Sequence, residues 1–274
     1  MKFLLLAQVN VNKLLIILAL IAAIAVVFAA LIVLVSKLCA VPVNEKAEKI
    51  HEKLAGANCG GCGFAGCADF AKALAEGKAD FSACGPTPAE NKAEIAQILG
   101  LEYSSDERKI AVVHCAGGKN CLDKFEYVGN RDCNAQIAFM GGKKCCDFGC
   151  LGGGTCAEKC ANNAINVTES EVAKVNGALC EACGLCVKAC PKHLIDFVPY
   201  TAKVYVACSS QCKGKDVMNS CKAGCIGCGI CAKFCPEHAI TMENNLPVID
   251  YGKCTACKTC VAKCPRKCIK EFNA

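Results

Sequence analysis

The chain has 274 residues, a formal net charge of +6, no tryptophan and 29 cysteines. With aromatics at 6%, a core built on large rings is excluded, and the tightly spaced groups into which the cysteines fall do not suit the disulfide frameworks of short secreted scaffolds. The positive charge counts every cysteine as neutral, whereas four thiolates around an oxidised 4Fe-4S core carry about −2, so several such clusters would make the loaded protein acidic; no nucleic-acid motif accompanies the charge.

From Leu14 to Val35 run 22 residues without charge, Gly or Pro. At about 1.5 Å per residue they cross a hydrocarbon core of about 30 Å. A cleavable signal has a shorter apolar run ending in small-x-small residues. This run instead ends Val35-Ser36-Lys37-Leu38-Cys39, and bulky Leu38 also disfavours a lipid-modified Cys39. The sequence therefore predicts a retained transmembrane anchor over residues 1–38. Lys2 and Lys13 precede the span and Lys37, Lys46, Lys49 and Lys53 follow it, a bias that puts the carboxyl-terminal bulk on the cytoplasmic side of the inner (cytoplasmic) membrane, with a single pass. The span holds no charged residue, so this chain alone offers no ion path.

Residues 39–105 read as a small helical 4Fe-4S domain. An amphipathic helix from Glu45 to Leu54 leads into Asn58-Cys59-Gly-Gly-Cys62-Gly-Phe-Ala-Gly-Cys67, followed by Cys84-Gly-Pro86. Cys59, Cys62, Cys67 and Cys84 supply four thiolates for one cluster, and the glycines let the backbone approach inorganic sulfur. Helices are expected over Ala68–Ala75 and Ala89–Leu99. Gly61, Gly63 and Gly66 match a dinucleotide fingerprint only formally, because no strand precedes them. His51 reads as a solvent-facing group.

The remainder contains one unit written twice, over residues 106–200 and 201–274. The second copy runs Cys225-x2-Cys228-x2-Cys231-x3-Cys235-Pro236 and, separated from Cys235 by 18 residues, Cys254-x2-Cys257-x2-Cys260-x3-Cys264-Pro265. This is the spacing of bacterial two-cluster ferredoxins, in which the fourth Cys of each run ligates the other cluster. The predicted sets are Cys225, Cys228, Cys231 and Cys264, and Cys254, Cys257, Cys260 and Cys235. In the first copy Cys180, Cys183, Cys186 and Cys160 match the second of these. Where Cys228 stands in the second copy, the first has Leu151-Gly-Gly-Gly-Thr155 and no Cys. Cys146 is expected to replace it, preferred over Cys145 because Cys221 occupies its counterpart, giving Cys146, Cys150, Cys156 and Cys190. A strand-turn-strand link is expected after each copy's first run, at Ala164–Val167 and Ala239–Met242. The fold class is thus α+β, with five 4Fe-4S clusters on twenty cysteines as Fe ligands.

Nine cysteines remain: Cys39, Cys115, Cys121, Cys133, Cys145, Cys208, Cys212, Cys221 and Cys268. Buried free thiols account for most, with a sixth cluster from Cys115, Cys121, Cys133 and Cys145 as the rival reading. No catalytic acid, base or nucleophile constellation is visible, so the expected function is one-electron relay with no catalytic residue. His114, His193 and His238 read as surface or supporting groups near the clusters.

The anchor, the C-x2-C-x4-C-x16-C domain, the V-x-C segments at Cys115 and Cys208 and the G-C-[LI]-G segments at Cys150 and Cys225 occur here in one order. In that order the chain resembles the B subunits of the Rnf complexes, the ion-translocating ferredoxin:NAD oxidoreductases. The stretches Asn58–Cys67 and Gly149–Pro191 carry the most specific part of the likeness. The resemblance implies that electrons come from reduced ferredoxin and pass to membrane and peripheral partner subunits that hold flavins and the NAD site, coupled to transport of Na+ or H+. The farther two-cluster module would accept the electrons and the membrane-proximal domain would deliver them. The alternatives are a reducing system for a redox-sensing regulator and a polyferredoxin subunit of a hydrogenase or other membrane reductase; the Cys59–Cys84 spacing argues against the latter.

Overall fold

The structure is a computed structural model describing residues 11–38, 44–103 and 107–272; Lys2 and Cys39, on which two expectations rest, lie outside them. The chain divides into two units, residues 1–45 and 46–274. In the first, a helix runs over Val11–Leu38, a length of about 42 Å at 1.5 Å per residue. Within Leu14–Lys37 its most apolar part reaches a mean hydropathy of 3.3. Apolar side chains lie exposed all round it, which in water would be costly and in a bilayer is not.

Among its described residues the second unit has three buried apolar clusters. The first gathers Ile50, Phe70, Leu74 and Ile95 around Cys84. It is built by helices over Glu45–Lys53, Cys67–Ala75 and Ala89–Leu99. The last of these starts after Pro88 and stops at Gly100, whose φ of 74° permits the left-handed cap.

The other two clusters belong to two copies of one topology. In the first copy, strand β1 (Lys109–Val113) and, much later, β4 (Ile195–Pro199) pair antiparallel, enclosing a hairpin of β2 (Ile165–Val167) and β3 (Ala173–Val175). In the second, β5 (Val204–Val206) pairs with β8 (Ile269–Glu271), enclosing β6 (Ile240–Glu243) and β7 (Leu246–Ile249). One-turn helices at Thr155–Glu158, Leu185–Ala189, Ile230–Lys233 and Thr259–Lys263 follow the four cysteine loops. Two-stranded sheets with one-turn helices bury little apolar surface. Cysteines themselves complete the cores: Cys156, Cys180 and Cys186 in one copy, Cys231 and Cys260 in the other.

Candidate iron–sulfur sites

Each cysteine loop repeats one backbone path. The residue two positions after its first Cys is left-handed in all four loops: Gly152 (φ 72°), Ala182 (52°), Gly227 (67°) and Ala256 (59°). Alanine in that region costs roughly 1 kcal/mol, and such strain concentrates at functional loops. It turns the loop tightly enough to bring successive thiols to one side. A second left-handed residue stands three positions after the last Cys of each run: Asn163, His193, His238 and Lys267, with φ between 48° and 51°. In three of the four runs the following N–H turns back onto that Cys. Ala164 N–H donates to Cys160 Sγ at 3.2 Å, Leu194 N–H to Cys190 Sγ at 3.5 Å and Ala239 N–H to Cys235 Sγ at 3.4 Å. Such N–H···S bonds favour the thiolate and tune a bound cluster.

His193 and His238 therefore act through their backbone. His238→Gly is expected to leave iron content and the thermal midpoint essentially unchanged, whereas β-branched His238→Val lowers stability by about 1–2 kcal/mol. Equal iron loss in both variants, read from the visible absorption, would instead mark the imidazole as a ligand. His114 bridges the copies through its Nδ1, 2.6 Å from the Val206 carbonyl oxygen.

The thiols line cavities rather than converging on a point: among the described residues no three His, Cys, Asp or Glu groups close tightly enough for a single ion. Every described cysteine is a free thiol. One cavity is walled by Cys225, Cys228, Cys231 and Cys264, and another by Cys235, Cys254, Cys257 and Cys260. A third is walled by Cys160, Cys180, Cys183 and Cys186. The structure thus brings together three of the sets expected from spacing. Cys268, which no motif included, is buried in the first of these cavities, its sulfur 3.5 Å from Cys264 Sγ.

The fourth cavity differs from expectation. Its thiols are Cys133, Cys150, Cys156 and Cys190; Cys146 lines a different cavity, with Cys115, Cys208 and Cys221. The reason is visible at Gly153, which stands where the second copy has Cys228. A Cβ placed on Gly153 would collide with the Arg131 carbonyl oxygen and lie 2.8 Å from Cys133 Sγ, so the Arg131–Cys133 segment, with its thiol, occupies the place of the missing side chain. Cys133 opens a helix over Cys133–Ala138 and is held there by its N–H donating to Thr155 Oγ1 at 2.8 Å. Thr155 Oγ1 in turn donates to Asp132 Oδ1 at 2.7 Å. Of the cysteines weighed for a sixth cluster, Cys115 and Cys121 share the cavity of Cys146, while Cys133 lies elsewhere and Cys145 is not among the lining thiols. Cys133→Ser is accordingly expected to remove about four iron atoms per chain from the first copy. Unchanged iron in Cys133→Ser would return that ligand position to Cys146.

In the amino-terminal part, Asn58 Oδ1 accepts the Cys67 N–H at 2.8 Å, tying the loop closed, and Thr87 Oγ1 donates to the sulfur of buried Cys84 at 3.1 Å. Cys62 and Cys67 pack on the same apolar cluster as Cys84. Cys59 also reaches the cavity of Cys183. Gly61 and Gly85 press against the carbonyls of Cys183 and Ala182, and Lys188 Nζ donates to the Gly61 carbonyl at 2.8 Å. No side chain larger than hydrogen fits at either glycine, so the two thiol loops meet backbone to backbone.

Burial sets the protonation of the free thiols. It pushes Cys156 and Cys186 up to about 12, and Cys150 and Cys231 up to about 11. Hydrogen bonds from neighbouring thiols pull the other way: Cys268 holds Cys225 down to about 6 and Cys121 holds Cys221 down to about 6. Ligation of the high group must displace protons, so metal retention weakens as pH falls.

The thiol groups fit 4Fe-4S clusters: at least four cysteines line each of four cavities, with N–H donors aimed at Cys160, Cys190 and Cys235. Family comparisons agree. Residues 54–86 match the family described as “Putative Fe-S cluster”, residues 173–196 the “4Fe-4S binding domain” and residues 217–265 the “4Fe-4S dicluster domain”. The chain is 44% identical over 221 residues to the B subunit of the Na(+)-translocating ferredoxin:NAD(+) oxidoreductase complex of Acetobacterium woodii, covering 80% of this chain and 66% of that protein. It is 39% identical over 241 residues to the B subunit of the ion-translocating oxidoreductase complex of Methanosarcina acetivorans, covering 88% of this chain and 91% of that one. The B subunit of the proton-translocating ferredoxin:NAD(+) oxidoreductase complex of Clostridium ljungdahlii is 38% identical over 265 residues, 95% of this chain and 93% of its own.

Proposed function

The chain belongs to the B-subunit family of the ion-translocating ferredoxin:NAD oxidoreductase complexes, and from that membership we propose how its parts work. It is an electron-transfer subunit of such a complex, carrying 4Fe-4S domains and one apolar helix able to cross a membrane. Residues 1–38 anchor it in the cytoplasmic membrane by a single pass, with the thiol-bearing bulk on the cytoplasmic side. Residues 39–105 hold one cluster on Cys59, Cys62, Cys67 and Cys84. Residues 106–200 and 201–274 are two-cluster ferredoxin-like modules using the thiols of the four cavities, with Cys133 in place of Cys146. When bound, these clusters supply one-electron transfer. The residues around them hold thiolates, donate N–H bonds and keep water from the buried sulfurs.

Electrons from reduced ferredoxin arrive at the last module. The single observation that carries this assignment is exposure: Cys228 and Cys257 are exposed, whereas Cys84 at the other end is buried. Exposed Lys253, Lys258, Lys263 and Lys267 lie along the same run, and Lys263 Nζ stands 5.4 Å from the ring centre of exposed Phe234. Such a face suits an acidic partner. At the opposite end Cys59, beside the Cys183 loop, links the modules to the domain that follows the anchor and faces the flavin- and NAD-holding partners.

Membrane vesicles lacking this protein, with and without its return, test the role. Its return is expected to restore both NAD reduction by reduced ferredoxin and ion uptake. A protein that serves a redox-sensing regulator would leave both unchanged.

A further inference from the structure

Cys115, Cys121, Cys146, Cys208 and Cys221, none of which the five proposed sets use, meet where the two copies join. Their arrangement is two-fold. Cys115 follows β1 and Cys208 follows β5, at the same place in each copy. Each sulfur accepts a backbone N–H from the cysteine that opens its own copy's first loop: Cys150 N–H donates to Cys115 Sγ at 3.4 Å, and Cys225 N–H to Cys208 Sγ at 3.3 Å. Cys146 and Cys221 each stand four positions before that same cysteine.

The copies are hydrogen-bonded to each other here. Cys121 faces Cys221 across an isolated antiparallel bridge, flanked by Leu122 N–H to the Ser220 carbonyl and Lys222 N–H to the Asn120 carbonyl, both 2.8 Å. Gly117 leaves the centre open: a Cβ on it would lie 3.4 Å from Cys221 Sγ and 3.6 Å from Cys115 Sγ. Arg266, donating to the carbonyls of Cys221 at 2.5 Å and Gly224 at 3.2 Å, adds positive charge at the rim, which suits an anionic group.

We propose that Cys115, Cys146, Cys208 and Cys221 hold a further 4Fe-4S cluster shared between the two copies, two thiolates from each, with Cys121 remaining a thiol hydrogen-bonded to Cys221. The inference rests on the iron–sulfur reading of the chain. It explains why the second copy keeps Cys221 although its own two sets are complete without it, and why the first copy does not spend Cys146 on the cavity that Cys133 completes. Because Cys150 and Cys225 line neighbouring cavities and also donate to this site's sulfurs, the site lies between the two modules and makes the series of cluster positions continuous.

The test uses the full chain purified without oxygen, with iron and acid-labile sulfide counted per chain and reduced spins counted by electron paramagnetic resonance. The wild type is expected to hold about twenty-four of each, four per cubane. Cys221→Ser and Cys208→Ser should each lose about four of both, the remaining clusters keeping their spin count, while Cys121→Ser loses none. Combining Cys221→Ser with Cys133→Ser should remove about eight, since the two belong to different sites. A wild type with about twenty of each, or Cys221→Ser and Cys208→Ser with undiminished iron and sulfide, overturns the shared cluster and leaves the five-cluster reading standing. Absence of sulfide overturns the reading itself. The wild-type count decides even if a variant fails to fold.

Discussion

Replacing Cys254 by serine is expected to abolish NAD reduction driven by reduced ferredoxin in the assembled complex. The loss should exceed about a hundredfold, the upper end of what removing a merely supporting group around a metal site costs. Cys254 shares its cavity with Cys235, Cys257 and Cys260, Cys257 being exposed. The other cavity of this copy is the one tied to the joint with the first copy, through Cys225 N–H donating to Cys208 Sγ, which makes the Cys254 site the outer one on the proposed route. On that route a ferredoxin docked on the lysine-bearing face would deliver its electron to this site first. Loss of this one site should spare reduction of the inner sites by a small chemical reductant, because those need no docking. Lys263→Glu with Lys267→Glu should act on the docking alone, raising the KM for ferredoxin about tenfold at low ionic strength, with the difference fading as salt screens the surface. Full ferredoxin-driven rates in Cys254→Ser would place the accepting end elsewhere. The rates are read in membrane vesicles by NADH absorbance.

Stripping the iron is expected to unfold most of residues 46–274. The four sheets among the described residues have two strands each, and isolated two-stranded hairpins are marginal in water. The largest fully buried side chains are few, Phe70, Ile50, Leu74 and Ile95 among them, and these four belong to the amino-terminal domain. The two copies close their cores with Cys156, Cys180, Cys186, Cys231 and Cys260. Binding of a structural metal contributes on the order of 10 kcal/mol of folding energy, comparable with the whole stability of a small domain, about 5–15 kcal/mol. Chelation should therefore erase the cooperative thermal transition of the two copies, and first at low pH, where thiols that prefer to stay protonated compete hardest with iron. Calorimetry of the stripped chain reads this directly. An undiminished transition would mean that packing alone holds the fold.

Buried Lys144 accounts for another part of the framework. Its Nζ lies 2.9 Å from Asp123 Oδ1 and 3.3 Å from Glu171 Oε2, and donates to the Gly118 carbonyl at 3.1 Å. Burial opposes its charge, and the two carboxylates more than reverse that, so its pKa stands above the usual lysine value. It ties the loop before Cys121 to the turn after β2, next to the cavity that Cys146 lines.

What could be read from sequence was what is local. Thiol spacing within a loop needs no tertiary information, so Cys225–Cys231, Cys254–Cys260 and Cys180–Cys186 announced themselves. Helix Ala89–Leu99 was equally plain, with Pro88 before it and Gly100 after. The helix over Val11–Leu38 extended the apolar run by three residues at each end. Cys133 was hidden because its meaning depends on Gly153, reached only through the fold, and a glycine in sequence does not say whose side chain takes its place. The shared site was hidden for a stronger reason. Its cysteines are single residues far apart in the chain, brought together where contacts such as the pairing of Cys121 with Cys221 and of His114 with Val206 join the two copies. The signal was nonetheless present: Cys115 with Cys208, and Cys146 with Cys221, recur at equal places in a repeat whose other ligands are complete in the second copy.

The claim that this chain is a series of iron–sulfur sites is tested most directly by measuring iron, acid-labile sulfide and zinc together in the full chain purified without oxygen. Iron and sulfide are expected in equal amounts, at about twenty-four each with the shared site, and no stoichiometric zinc. Zinc in place of iron, or iron without sulfide, would contradict it.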